Sequence, residues 1–226
     1  MRACTRREAL ALTAFLGVSG LGLSGCGSSA TGTATDVPAT DADAASEEGE
    51  PDLSDDPYAT GTHRVAMEVE GYGTIEATLN ANVAPITVSN FCHLVEEGFY
   101  DGLTFHRVVP GFMIQGGDPN ADGTGGSGTT IKGEFSANGV ENNIPHVRGT
   151  ISMARSQGYD SASSQFFIMQ ETTPSLDGQY AAFGTVTAGM DVVDAICETV
   201  PVADEQSGLV AAEDQPVIAS VTILEG

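Results

Sequence analysis

A mainly β, antiparallel domain with only two helices is what the residue pattern of this chain predicts. Short runs of alternating apolar and polar residues recur between turn signals, and only two stretches show helical spacing. No strand–helix–strand alternation appears that would build a parallel sheet. A sandwich or a barrel fits this pattern, since closing a sheet on itself removes its exposed edges.

Each element follows from its own spacing. Val65, Met67 and Val69 alternate with polar residues, and Ile75, Ala77 and Leu79 do so after the turn at Gly71-Tyr72-Gly73. Pro85 opens a helical pattern with Val88, Phe91, Cys92 and Val95 on one face and Gly98 as its stop. Strand-like runs follow at Thr104–Val109, Phe112–Gln115, Thr150–Ala154, Gln165–Met169 and Ala182–Val186. A second helix is predicted over Met190–Cys197, with Val192, Val193 and Ile196 inward. Val217, Ala219, Val221 and Ile223 alternate in a last strand. Residues 62–226 thus form one domain with no internal repeat.

Ahead of it lie two segments of different composition. Residues 1–25 read as a lipoprotein signal peptide: Arg2, Arg6 and Arg7 precede an apolar run from Ala9 to Leu23, too short and glycine-rich to span a bilayer. Leu23-Ser24-Gly25-Cys26 looks like a bacterial lipobox, in which the Cys26 thiol is acylated, by palmitate for example, and becomes the new N-terminus. Thr5-Arg6-Arg7 also resembles a twin-arginine signal, so the export route stays open. Residues 26–61 are rich in Thr, Ala, Gly and Ser, with many acids and no base before residue 62. Such a stretch buries too little apolar surface to offset its ordering entropy and is expected to be a disordered tether. A coil of roughly 35 residues spans about 30–35 Å, and self-repulsion extends it. The expected location is extracytoplasmic, held to the cell membrane by lipid on Cys26.

Charge and composition exclude several function classes. With 31 acidic against 8 basic side chains, the net charge is -23, and nucleic acid is excluded as a partner because phosphate neutralisation needs Lys and Arg. Four cysteines are too few for a disulfide scaffold, and sequence leaves any pairing of Cys92 with Cys197 open. His63, His93, His106 and His146 show no metal-ligand spacing, so no metal site is expected. Gly123-Thr124-Gly125-Gly126-Ser127-Gly128 spells a dinucleotide fingerprint, but no helical pattern follows it, and a flexible surface loop is expected instead.

The informative stretch runs from Tyr100 to Asp118. There Arg107 stands in an otherwise apolar segment, beside a platform of Phe112 and Met113 and a polar amide at Gln115. Phe105-His106-Arg107-Val108-Val109-Pro110-Gly111-Phe112-Met113-x-Gln115-Gly116-Gly117-Asp118 resembles the signature of the cyclophilin family of peptidyl-prolyl isomerases. The likeness continues through Gly149-Thr150-Ile151-Ser152-Met153-Ala154, Ser164-Gln165-Phe166-Phe167-Ile168 and Leu176-Asp177-Gly178-x-Tyr180-x-x-Phe183-Gly184, in the family's order and spacing.

The resemblance implies a closed eight-stranded antiparallel barrel capped by a helix at each end. Those helices would carry Cys92 and Cys197 far apart, which argues against a disulfide. It implies catalysis of X-Pro rotation without covalent intermediate or cofactor, acting on proline-containing polypeptides, and a monomer is expected. Arg107 and Gln115 would be the catalytic pair, with Arg107 near the prolyl nitrogen and Gln115 orienting the substrate backbone. Phe112, Met113, Phe167 and Leu176 would wall the proline pocket, with Tyr180 beside it, while Ala154, Arg155 and Gln165 line the groove for preceding residues.

Three positions depart from the family's pattern. Ser175 stands where many members carry a pocket-edge Trp, Tyr180 where a His is frequent, and Arg155 where an Asn is common. The first should weaken binding of cyclosporin-type ligands. None touches Arg107 or its platform, so an isomerase assisting the folding of exported proteins is expected. The alternatives are a non-catalytic module that binds or holds proline peptides, and a structural envelope protein on a tether.

Overall fold

The computed structural model describes residues 51–224. The segment read as a signal peptide, Cys26 and the acidic segment before residue 51 lie outside the described residues.

The first hairpin forms as the alternation requires. β1 (Thr62–Val69) pairs antiparallel with β2 (Gly73–Asn80), with Val65 opposite Ala77 and Met67 opposite Ile75. Val65, Met67, Val69, Ile75, Ala77 and Leu79 are all buried. α1 (Pro85–Glu96) then begins with proline at its first turn and buries Val88, Phe91, Cys92 and Val95. Its free N-terminal amides are met from a distance. Ile86 N–H and Thr87 N–H donate to the Glu134 carboxylate at 3.0 and 2.8 Å, a satisfied buried charge at the positive end of the helix. Burial nonetheless holds that carboxyl above the usual glutamate range.

The remaining strands are β3 (Arg107–Val109), β4 (Met113–Gly116), β5 (Thr150–Met153), β6 (Phe166–Met169), β7 (Ala182–Ala188), β8 (Val202–Asp204), β9 (Leu209–Val210) and β10 (Ile218–Leu224). α2 (Met190–Thr199) lies between β7 and β8 and buries Val192, Val193, Ile196 and Cys197. All ladders are antiparallel, in the order β10-β1-β2-β7-β5-β6-β4-β3-β9-β8. One large apolar core gathers residues of the sheet and both helices, with Phe91, Tyr100, Phe105, Phe166 and Phe183 among them.

The architecture differs from the sequence expectation in three places. The ladder traced by the strand pairs is an order of ten strands that does not close, so the closed ring of eight that the resemblance implied is not confirmed. The predicted strand Thr104–Val109 is shortened to Arg107–Val109, because the residues before it bond elsewhere. Phe105 N–H donates to the Pro216 carbonyl at 2.9 Å, Gly102 N–H to Ile218 at 2.8 Å, and Ile218 N–H returns to Leu103 at 2.8 Å. The third correction is the β8–β9 hairpin, whose strands are too short to register as an alternation.

Residues 51–61, read as the end of the tether, pack against α1. The Ser89 hydroxyl donates to Asp56, His93 Nε2 lies 3.1 Å from the same carboxylate, and Tyr58 Oη donates to Glu96 at 2.7 Å. Cys92 and Cys197 are both free and buried, and desolvation pushes each thiol up to about 12.

Candidate active site

Side-chain alternation in the central strands makes the site. In β3, β4 and β6, Val108, Ile114, Phe166 and Ile168 point into the main core. Their neighbours Arg107, Met113, Gln115, Phe167 and Met169 therefore share the opposite face. The register then sets them in rows. Arg107 lies opposite Gln115, Gln115 opposite Phe167, and Phe167 opposite Ser152. In the next row Val109 faces Met113, which faces Met169.

Arg107 is half-buried and held by two bonds. Its Nε donates to the Ser207 carbonyl at 2.6 Å and its Nη1 to Gln115 Oε1 at 3.1 Å. The other Nη hydrogens have no acceptor among the described residues. Desolvation lowers the pKa of this guanidinium, yet it stays charged at any working pH. The bond to Gln115 continues as a line: Gln115 Nε2 donates to Gln165 Oε1 at 2.9 Å, and Gln165 Nε2 donates to the carbonyls of Gly123 and Gly125 at 3.1 and 2.8 Å.

Beside this cation lies a second apolar cluster, separate from the main core. Met113, Phe167 and Met169 are its buried floor, and Val109, Phe112, Ala154, Leu176 and Tyr180 pack against it half-exposed. Together with Arg107 and Gln115, most of this cluster opens onto a cavity of about 380 Å³.

The far wall is fixed from below by His146. Its Nδ1 lies 3.0 Å from Asp177 Oδ1, and its Nε2 lies 3.0 Å from Ser152 Oγ. Its ring stacks on Phe167, with centroids 6.0 Å apart, and Tyr180 meets Phe167 edge-on at 5.7 Å. Ser152, His146 and Asp177 are thus connected as a serine nucleophile and its base would be. Ser152 is 0% exposed, however, so its hydroxyl meets no substrate; the line instead ties Asp177, the chain neighbour of Leu176, to the buried His146, against whose ring Tyr180 stands edge-on. Burial drives the His146 pKa below the usual 6.5, with Asp177 opposing.

The structure brings Arg107, Phe112, Met113, Gln115, Ala154, Arg155, Phe167, Leu176 and Tyr180 to one cavity. Gln165 lines the adjoining cavity and reaches the first through Gln115. Cys26 lies outside the described residues.

Sequence reasoning missed four participants. Ser207 supplies the carbonyl that aims Arg107, and Leu209 lines the pocket opposite it in the ladder. Gly208 lies between them at φ 80°, where a Cβ would meet Val109 Cγ2 at 2.5 Å. The turn-rich run Asp204-Glu205-Gln206-Ser207-Gly208 between apolar residues was the available signal. His106 also lines the cavity, with both ring nitrogens unpartnered among the described residues; burial lowers its pKa, Asp118 opposing. Finally, the glycine-rich loop is not loose. The Asp118 carboxylate accepts from the N–H groups of Asn120, Asp122 and Gly123, and Gln165 grips the loop's carbonyls.

Such a site has the shape and lining to take an apolar ring, with a planar, multi-donor cation at its rim. Among the described residues no three His, Cys, Asp or Glu side chains gather as a metal site.

Known proteins share this arrangement of sequence and fold. Residues 64–225 match the family model described as cyclophilin type peptidyl-prolyl cis-trans isomerase/CLD. Peptidyl-prolyl cis-trans isomerase B of Bacillus subtilis (strain 168) is 50% identical over 125 residues, covering 54% of this chain and 82% of that protein. A peptidyl-prolyl cis-trans isomerase of Synechococcus elongatus is 52% identical over 112 residues, covering 50% and 72%. A cyclophilin type isomerase of Cryptosporidium parvum superposes with a TM-score of 0.64 at 27% identity, covering 74% of this chain and 99% of that one. A second crystal structure of it, in the presence of the dipeptide Ala-Pro, gives 0.63 at 29% identity, covering 72% and 99%. With the match running from β1 through β10, the chain belongs to the cyclophilin-type peptidyl-prolyl cis-trans isomerases.

Proposed function

We propose that this isomerase turns X-Pro bonds in exported polypeptides, outside the cytoplasm, while held to the membrane by lipid on Cys26, with Arg107 as its central catalytic group. The observation that carries the reading is the Arg107 guanidinium: fixed by Ser207 and Gln115, without a carboxylate partner among the described residues, at the rim of a cavity floored by Met113 and Phe167.

The amide barrier of about 18–20 kcal/mol exists because the nitrogen lone pair is delocalised into the carbonyl. Uncatalysed exchange takes tens to hundreds of seconds. Reaching milliseconds requires roughly 10⁴-fold, or about 5–6 kcal/mol. A hydrogen bond to a charged group contributes only about 1.5–3 kcal/mol, so Arg107 does not suffice alone. The proline ring, seated on Phe112, Met113, Phe167 and Leu176, excludes water and fixes the prolyl side of the bond. Arg107, aimed by Gln115, donates toward the prolyl nitrogen as it pyramidalises, which competes with amide resonance and favours the twisted state. Gln115 also contacts the substrate backbone, and Ala154, Arg155, Gln165 and Tyr180 border the chain before the proline. No proton or covalent bond changes hands.

Exchange rates on a proline tetrapeptide test the catalytic reading. Acceleration that disappears in Arg107→Ala supports it, whereas binding without acceleration would make the protein a proline-peptide holder. Incorporation of labelled palmitate, lost in Cys26→Ala, tests the anchor.

A further inference from the structure

Arg107 and Arg155 have no acidic partner among the described residues, and both face the same groove. Arg64 pairs with Glu76 at 3.2 Å and Arg148 with Asp194 at 2.6 Å. Arg107 and Arg155 have no carboxylate within ion-pair distance among the described residues, although the chain carries 31 acids. Arg107 has its place in the proline pocket. Arg155 borders that pocket and also a second cavity of about 540 Å³ that adjoins it.

The second cavity is built of neutral polar groups around that one charge. The glycine-rich loop 123–128 forms one side, and Ser156, Ser161 and Ser163 contribute to the other; its lining holds no carboxylate. The N–H groups of Gly125, Gly126 and Gly128 find no acceptor among the described residues. Arg155 itself is rigid. Nε and Nη2 donate to the Gln179 carbonyl at 3.1 and 3.0 Å, and Nη1 to the Ser156 carbonyl at 2.9 Å. Its guanidinium carbon lies 4.8 Å from the centroid of the Tyr180 ring and 5.1 Å from those of Phe135 and Tyr159. Carbonyls and aromatic faces hold a cation without neutralising it, and the ordering entropy is spent before any ligand arrives.

Side chains of an extended peptide alternate, so two adjoining cavities on one face receive residues two apart. With proline in the first cavity, the second takes the side chain two positions before it. We propose that this cavity selects an acidic side chain there, with Arg155 as the specificity-determining charge. The inference rests on the isomerase reading of the proline pocket and adds to it a preferred substrate class, segments of the form acid-Xaa-Pro.

The test compares kcat/KM at low ionic strength on three peptides, Glu-Ala-Pro-Phe, Gln-Ala-Pro-Phe and Lys-Ala-Pro-Phe, each blocked at its N-terminus. The protein's net charge of -23 by itself would disfavour the Glu peptide and favour the Lys peptide, so the expected order runs against the global field. Glu should exceed Gln by about three- to tenfold, Lys should fall below Gln, and 0.5 M salt should shrink both differences. In Arg155→Met the Glu/Gln ratio should drop to one or below, and in Arg155→Lys it should persist. If Arg155→Met folds poorly, the Arg155 Nε resonance of the parent protein should shift with the Glu peptide and not with the Gln peptide. A parent Glu/Gln ratio of one or less, with the Gln peptide still turned over, overturns the selectivity alone. Failure to accelerate any of the three overturns the isomerase reading beneath it.

Discussion

Arg107 and Gln115 stand directly opposite each other in the β3–β4 ladder, and the guanidinium donates to the amide oxygen at 3.1 Å. The pair is eight residues apart in sequence, but it is the tight turn between two short strands that makes it a pair. A neutral acceptor in that place orients the cation and leaves its charge available for a substrate.

Replacing Arg107 with Lys keeps a positive charge and loses the planar set of donors. One ammonium cannot hold Ser207 and Gln115 and still address a prolyl nitrogen. We expect kcat/KM on a proline tetrapeptide to fall about 10²-fold, on the scale of losing one transition-state donor. The unfolding midpoint should stay close to the parent's, because Arg107 lies outside both apolar clusters.

Gln115→Glu is nearly isosteric and tests the charge rather than the geometry. It would give Arg107 the carboxylate partner it now lacks. Turnover at pH 7 should drop at least about tenfold even though the bond to Arg107 becomes stronger. An unchanged rate would show that the uncompensated cation is irrelevant to catalysis.

Gly208→Ala acts on the site from behind. At φ 80° a side chain is strained, and its Cβ would press on Val109 Cγ2 at 2.5 Å and the Val108 carbonyl at 3.0 Å. The hairpin should yield, moving the Ser207 carbonyl away from Arg107 Nε. A loss of about 1–2 kcal/mol in stability is expected, together with a fall in kcat that exceeds any rise in KM.

Stability should decline as the solution is acidified through the histidine range. Burial lowers the pKa values of His106 and His146 below 6.5, with Asp118 and Asp177 opposing, so the native rings stay neutral where the unfolded ones take up protons. The unfolded state then binds more protons between the native values and 6.5, and stability falls as pH drops through that window. Thermal unfolding should occur at a lower temperature at pH 5.5 than at pH 7. A second decline should come at lower pH, where Asp194, whose pKa is lowered by its bond to Arg148, becomes protonated. A midpoint that holds or rises between pH 7 and 5.5 would exclude the histidine contribution.

Periodicity alone located β1, β2 and both helices, because each buries one face of a long, regular run. It also placed β10, but there the buried residues are Ile218 and Val221, since a register shift against β1 breaks the expected alternation. The extents of β3 and the β8–β9 hairpin were not legible, since strands of two or three residues carry too little alternation. The order of the ladder was equally hidden: a closed ring of eight and an open run of ten share the same local pattern.

For the site, the sequence by itself determined the chemistry: one arginine, an apolar platform and two glutamines in a chain with few bases. Tertiary structure decided which of them meet. Register placed Gln115 between Arg107 and Phe167, and a hairpin a hundred positions downstream supplied the carbonyl that aims the arginine. It also left Arg155 caged by aromatic rings and carbonyls, with no acid paired to it among the described residues. Alternation is a local property of the backbone and is written in every strand. Register and ion pairing depend on distant segments arriving together, and only the folded chain fixes them.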